Sequence, residues 1–279
     1  MQDKIVMVTG ANSGMGLATT IELARKGARV IMVCRSVERG EVAREAAMKE
    51  SGSQNIELMI ADLGDLDSIR RFAVEYKSRY QVLDVLINNA GVVSLKRQLT
   101  SNGFEMNMGI NHLGHFLLTN LLLDRLMLAE QGRIVNVSSG AYKVGKIHVD
   151  DPTLKKRYNV AKGYTQSKLA NILFTKQMAV RLMGSRVTAN CLHPGAVVTN
   201  LGVDRKTGFG KGVYALLRPF FLSPEQGSQS ALYLATAPEI SEVSGEYFYR
   251  QQIQNLAPRA NNMKDAEWLW RWSEEQVGL

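Results

Sequence analysis

The octapeptide "TGANSGMG", residues 9–16, stands between the apolar run "KIVMV" and a helical pattern that begins at once. Glycines at 10, 14 and 16 allow a tight turn, close backbone approach to a pyrophosphate, and close packing of helix on strand. The exposed amides of the following helix N-terminus then favour an anion. A glycine triplet alone says little; between a first strand and a first helix it reads as a dinucleotide-binding loop.

Outward from that loop, apolar runs rich in Val and Ile alternate with longer helical patterns. "KIVMVTG", "ARVIMVCR", "IELMIADL", "LDVLINNAG", "GRIVNVSS", "VTANCLHPG" and "GEYFY" read as seven strands. The first six are almost continuously apolar, as parallel strands covered on both faces must be. Helices are predicted over Met15–Lys26, Val37–Glu50, Leu66–Tyr80, around Asn107–Leu128, and from about Tyr164 to Leu182. This alternation predicts an α/β chain with a doubly wound Rossmann fold, about seven parallel strands flanked by helices. No linker or repeat interrupts it, so residues 1–279 are read as one dinucleotide-binding and catalytic domain. Within it, the glycine-rich, basic stretch at about 200–222, ending in "VYALLRPFFL", is expected to form a substrate lid. A C-terminal helix is expected at about 264–277, with Trp268, Leu269 and Trp272 on the face that docks against the core.

The second strand speaks to the coenzyme. An acid at its C-terminal end would hold the ribose 2′-hydroxyl of NAD(H). Here that end reads "VCRS": Cys34 takes the acid's place and Arg35 follows, with Arg39 four residues on. A guanidinium suits a 2′-phosphate, so NADP(H) is expected over NAD(H).

Bulk properties narrow the class. The 279 residues carry a net charge of +8 and 45% hydrophobic side chains, enough for a sizeable core. The basic residues are scattered rather than arrayed with aromatics on one helix, so no nucleic-acid partner is expected. Cys34 and Cys191 lie in apolar strand runs and read as small buried hydrophobes. His112, His115 and His193 lack the further ligands a zinc site wants; no metal is expected, and the first two read as helix residues packing near a subunit or sheet surface. The apolar stretch "HFLLTNLLLDRLML" is broken by Asn120, Asp124 and Arg125, so no transmembrane segment is expected. The first strand begins within four residues of Met1, so no signal peptide is expected and a cytoplasmic protein is.

Together these motifs resemble the short-chain dehydrogenase/reductase family. The resemblance rests on "TGANSGMG", "ADL" at 61–63, "NNAG" at 88–91, Asn111 in "INHLGHF", "VNVSS" at 135–139, "YTQSK" at 164–168 and "HPGAVVTN" at 193–200. "NHLGHFLLT", "QSKLANILFT", "VSGEYF", "AEWLW" and the insertion "IHVDDP" are most similar to its retinol-dehydrogenase-like, NADP-dependent reductases. The N-terminal membrane segment that many of those enzymes carry is not seen before the first strand. The basic residues around the lid suit an anionic membrane surface and so peripheral membrane contact, and the resemblance is compatible with a homo-oligomer.

The resemblance implies roles for the matched positions. Gly10, Asn12, Ser13, Gly14, Met15 and Gly16 would cradle the coenzyme phosphates and ribose, and Asp62 and Leu63 would border the adenine. Asn88, Ala90 and Gly91 would line the coenzyme by backbone, Val197 would meet the carboxamide, and Thr199 the pyrophosphate. Ser139 matches the catalytic serine, and Asn111 the asparagine that anchors a proton-relay water. Lys168 would also hold the nicotinamide ribose.

Tyr164 and Lys168 are four apart, which on a helix means ~6 Å of rise and one shared face. Moving a phenol from a pKa of ~10 to ~7 takes roughly 4 kcal/mol, about what a unit charge at ~4 Å supplies at an effective dielectric of ~20. The expected activity is hydride transfer between NADP(H) and an apolar aldehyde or ketone, retinal or another lipophilic carbonyl, with Tyr164 as acid and base. A catalytically silent NADP(H)-binding regulatory protein is the alternative; the presence of Ser139, Tyr164 and Lys168 together weighs against it.

Overall fold

The computed structural model describes residues 1–195 and 222–279. Val197, Thr199 and all of the expected lid except Leu222 lie outside the described residues.

Alternation along the strands builds two cores from one sheet. In β1 (Ile5–Thr9), Val6 and Val8 point to one face and Met7 to the other. β2 (Arg29–Cys34), β4 (Val85–Asn88), β5 (Gly132–Val137) and β6 (Val187–Leu192) follow the same rule and are buried on both sides, while the edge strand β3 (Ile56–Ile60) buries only Ile56 and Met59. Helices α1 (Gly14–Arg25), α2 (Val37–Ser51) and α8 (Pro224–Thr236) cover the Val6 face. On the Met7 face lie α3 (Leu66–Arg79), α7 (Val160–Arg181), α9 (Met263–Val277) and a run of short helices after β4. That run comprises α4 (Met106–Met108), a π-helical segment (Gly109–Gly114), α5 (His115–Leu121) and α6 (Leu123–Met127).

With β7 (Tyr247–Tyr249) and β8 (Gln252–Ile253), the sheet order is β3-β2-β1-β4-β5-β6-β7-β8, and all neighbours are parallel except the last pair. All seven expected runs are strands. The eighth, β8 (Gln252–Ile253), turns back antiparallel on β7 (Tyr247–Tyr249) through Arg250 and Gln251, both at positive φ, and at two residues is too short to show as an apolar pattern. The order reverses between β1 and β4, and in open α/β sheets the crevice beyond that reversal holds the ligand.

Capping explains most helix ends. Asp65, Asn159 and Asn262 accept from first-turn amides of α3, α7 and α9. α8 was not anticipated, although Ser223-Pro224-Glu225-Gln226 forms a full capping box with proline in the first turn. The predicted helix at 107–128 is instead broken up, because the π-helical segment adds a residue to one turn. On α9 the expected Trp268, Leu269 and Trp272 do pack on the core, Leu269 buried and the two tryptophans half-buried and stacked parallel at 6.0 Å, but the fully buried face also takes in Ala266, Trp270, Ser273 and Val277. Trp270 packs edge-on to Phe116 at 4.9 Å, with the Arg181 guanidinium 4.2 Å above its ring. No helix among the described residues is long and apolar enough to cross a membrane.

Candidate active site

Two loops meet at the reversal of the sheet. Gly10, at φ +66, packs so closely on the loop after β4 that a Cβ there would stand 2.9 Å from the Ala90 Cα. A Cβ on Gly16 would strike the Gly10 carbonyl oxygen, and would stand 2.5 Å from Asn89 Nδ2. Thr9 ties the loops together: its hydroxyl oxygen accepts from the amides of Asn89 and Ala90, both at 2.9 Å, while Asn89 Nδ2 donates to the Thr9 carbonyl at 2.7 Å. The Asn89 contact was not anticipated from the sequence; its signal is the second asparagine of "NNAG".

The start of α1 is built for an anion. Its N-cap Ser13 makes no side-chain cap and its first turn holds no acid. The caps of α2, α3, α7 and α8, by contrast, all accept from their own helix amides. The first-turn donors of α1, with Gly14 at φ +55, are therefore open to a ligand, and the residues present fit a dinucleotide's pyrophosphate.

At the end of β2 the Cys34 thiol is buried against the amides of Ala11 and Asn12, and burial pushes its pKa up to about 11. Arg35 and Arg39 are exposed, and neither makes an ion pair among the described residues. After β3, Asp62 Oδ1 accepts from the Gly64 amide at 2.8 Å, while Leu63 is buried against Gly114. Asn88, expected to meet the coenzyme by its backbone only, has its side chain on the inner side of the sheet. It donates to Thr119 Oγ1 at 2.9 Å and Asn136 Oδ1 at 2.8 Å, and so braces β4 against β5 and α5.

Across Gly91 lies the second group of expected residues. A Cβ there would sit 3.6 Å from Asn111 Oδ1 and 3.7 Å from Lys168 Nζ. Asn111, in the π-helical segment, clamps Val92 both ways: Oδ1 accepts from its amide at 2.8 Å and Nδ2 donates to its carbonyl at 3.0 Å. Ser139 caps the turn after β5, accepting from the Ala141 amide at 3.2 Å. Lys168 is buried and donates to the Val137 carbonyl at 3.1 Å, with its ammonium 5.8 Å from the Tyr164 ring centre.

Burial opposes the expected acid phenol. Burial raises the Tyr164 pKa above its ordinary value, and the neighbouring Ser139 hydroxyl offsets that in part. Burial lowers Lys168 to about 8. The two helix histidines are interior: His112 bonds Ser273 Oγ at 2.8 Å, and His115 packs on the sheet, as expected, bonding Thr9 Oγ1 at 2.9 Å. His112 lies in the π-helical segment, which is buried at all six positions, and His115 follows it as the first residue of α5.

The family model for short chain dehydrogenases matches residues 4–208 of the chain. The chain belongs to the short-chain dehydrogenase family. This dehydrogenase is 47% identical to human retinol dehydrogenase 14, over its whole length and 88% of that protein's. It is 44% identical to human retinol dehydrogenase 13, covering 99% of this chain and 85% of that protein. A solved structure from Mycobacterium paratuberculosis superposes with a TM-score of 0.80 at 37% identity, covering 99% of this chain and 94% of the other. A Shigella flexneri short chain dehydrogenase complexed with NADP has a TM-score of 0.70 at 25% identity, covering 89% of this dehydrogenase and 97% of that chain. The fold and the family-typical motifs thus agree, and the protein is an oxidoreductase of a nicotinamide-dependent family.

Proposed function

We propose that the protein interconverts an apolar aldehyde or ketone, retinal among them, with its alcohol, using NADP(H), with Tyr164 as proton donor and acceptor. The observation that carries this reading is the grouping of Ser139 and Lys168 around Tyr164, with Lys168 beside Gly91 on the loop that packs against Gly10 of the phosphate loop. The retinoid assignment draws on the names of the relatives, retinol dehydrogenases 13 and 14. The preference for NADP(H) draws on the neutral Cys34 and the exposed Arg35 and Arg39, and the Shigella flexneri neighbour complexed with NADP is consistent with it.

The loop residues Gly10, Asn12, Ser13, Gly14, Met15 and Gly16 would hold the pyrophosphate, with Arg35 on the 2′-phosphate and Asp62 and Leu63 beside the adenine. Ala90 and Gly91, with the backbone of Asn88, would line the coenzyme; Lys168 would hold the ribose, and Val197 and Thr199 take the carboxamide and pyrophosphate. When bound, the coenzyme supplies or accepts the hydride. In reduction the Tyr164 hydroxyl gives its proton to the carbonyl oxygen as that oxygen gains charge, and the Ser139 hydroxyl donates a hydrogen bond to the same atom. Tyr164 is left as phenolate. A unit charge about 6 Å away at an effective dielectric of ~20 favours phenolate by about 3 kcal/mol, or ~2 pKa units, so Lys168 can offset the burial that holds the phenol protonated. Asn111 would fix the loop after β4 and the relay water beside Lys168. Alcohol oxidation runs the same proton the other way.

Reduction of all-trans-retinal with NADPH, beside NADH and a panel of simple aldehydes and aryl ketones, tests this. Retinol formed with NADPH in preference to NADH is expected. Turnover of the panel without retinal would keep the chemistry and discard the retinoid. Tight NADPH binding with no carbonyl turned over would leave a coenzyme-binding regulatory protein.

A further inference from the structure

His115 opens α5 directly after the π-helical segment, and both of its ring nitrogens are engaged. Nδ1 meets the main-chain carbonyl oxygen of Asn111 at 3.1 Å, and Nε2 meets Thr9 Oγ1 at 2.9 Å. A carbonyl can only accept, so Nδ1 carries the proton. The Thr9 oxygen already accepts from the Asn89 and Ala90 amides, and its own hydrogen points to Nε2 at 2.9 Å rather than to the Ile87 carbonyl at 3.4 Å. The ring is only 2% exposed, and burial beside the Lys168 charge lowers its pKa to about 4, which keeps it in this neutral tautomer.

The two partners belong to different parts of the site. Thr9 is the last residue of β1, opens the glycine loop, and fastens it to the loop after β4. Asn111 fastens that same second loop at Val92 from the side of Lys168. Gly114, just before His115, lets the helix lie directly on the Leu63 carbonyl, so the contact repeats on the adenine side.

We propose that His115 is a positioning residue that registers the Asn111 segment against the phosphate loop, and thereby joins coenzyme binding to the geometry around Tyr164 and Lys168. It rests on the function proposed above. No apolar residue could do this, because the Asn111 carbonyl and the Thr9 hydroxyl would each lose the bond that ties them to one ring, although Thr9 keeps the Asn89 and Ala90 amides. A rigid ring holds its donor and acceptor at a fixed separation, which sets the spacing between loop and segment.

Two variants separate the halves. His115→Asn keeps a donor where Nδ1 stands and gives up Thr9; His115→Gln keeps a polar end where Nε2 stands and gives up the Asn111 carbonyl. The NADPH dissociation constant is read from fluorescence of the bound nicotinamide without turnover, and kcat at saturating coenzyme. His115→Asn should weaken NADPH about fivefold with kcat within about twofold; His115→Gln should lower kcat about fivefold with NADPH affinity within about twofold, each the usual size of one hydrogen bond. Parallel losses of both quantities in both variants, or no change in either, would reduce His115 to core filling. In the wild type, 15N imidazole shifts should report a protonated Nδ1 and an Nε2 that moves when NADPH binds; the opposite tautomer overturns the proposal even if a variant fails to fold. A wild type that binds NADPH yet turns over no carbonyl would fail the functional reading while the affinity arm and the imidazole shifts still test this one.

Discussion

Lys168 holds its ammonium 5.8 Å from the centre of the Tyr164 ring and spends a hydrogen bond on the Val137 carbonyl, 3.1 Å away. The lysine acts on the phenol through charge at a distance, and burial brings its own pKa down to about 8. That charge is present below about pH 8 and lost above it, while the raised phenol stays protonated throughout the neutral range. Carbonyl reduction should therefore be flat from pH 6 to 7.5 and fall above about 8, as the cation that stabilises phenolate disappears. Alcohol oxidation, which needs the phenol deprotonated beside the charged lysine, should rise with pH up to about 8 and level off above it. Initial rates in both directions check this, and Lys168→Met should lower kcat by roughly 100-fold, the equivalent of about 3 kcal/mol, and remove the break near pH 8.

Arg35 stands exposed beside the buried, uncharged Cys34. If the guanidinium takes the 2′-phosphate, Arg35→Ser should raise KM for NADPH by about tenfold or more, the worth of a charge-assisted hydrogen bond, and leave NADH almost unchanged. Steady-state titration of both coenzymes reads this out. Equal losses for the two would remove Arg35 from the phosphate.

Gly16 offers a sharper steric test. A Cβ there would strike the Gly10 carbonyl, backbone that cannot swing aside, and would press on Asn89 Nδ2. Gly16→Ala should open the two-loop junction, weakening coenzyme by about tenfold or more and lowering Tm, since small-to-large changes at tight sites cost about 1–3 kcal/mol. Gly52, which ends α2 with nothing within 4 Å of a built Cβ, is the control. Gly52→Asn should bind coenzyme normally, because asparagine also tolerates the left-handed backbone.

His112 links the π-helical segment to α9 through Ser273, and burial lowers its pKa to about 3. An unfolded histidine titrates near 6.5, so between roughly pH 6.5 and 3 the unfolded chain binds a proton that the folded one refuses. Stability must fall as pH falls through that window. His112→Leu should lower Tm at pH 7 yet give a shallower decline toward pH 4 than the wild type. A parallel decline would place the acid sensitivity elsewhere.

Much of this architecture was legible in the chain because its signals are local. Buried parallel strands must be continuously apolar, and a glycine loop between strand and helix has few alternative uses. Ser223-Pro224-Glu225-Gln226 was equally local, and α8 could have been read from it. What resisted reading depends on packing between distant segments. The π-helical segment at Gly109–Gly114 is buried at all six positions, polar Asn111 and His112 among them, so no exposed face marks its period. Asn88 and Asn89 are neighbours with opposite duties, one bracing β5 and the other holding Thr9. Spacing placed Tyr164 and Lys168 on one face of α7, but only burial in the fold shows that the phenol is raised and the lysine lowered.

The most direct test of the central claim is single-turnover reduction by Tyr164→Phe beside the wild type, with NADPH affinity measured on the same samples. The account predicts an NADPH dissociation constant within about twofold of wild type and a chemical step slowed by about 10²–10⁴, the usual contribution of a positioned general acid. Carbonyl reduction at the wild-type rate by a phenylalanine variant that binds NADPH normally would contradict it.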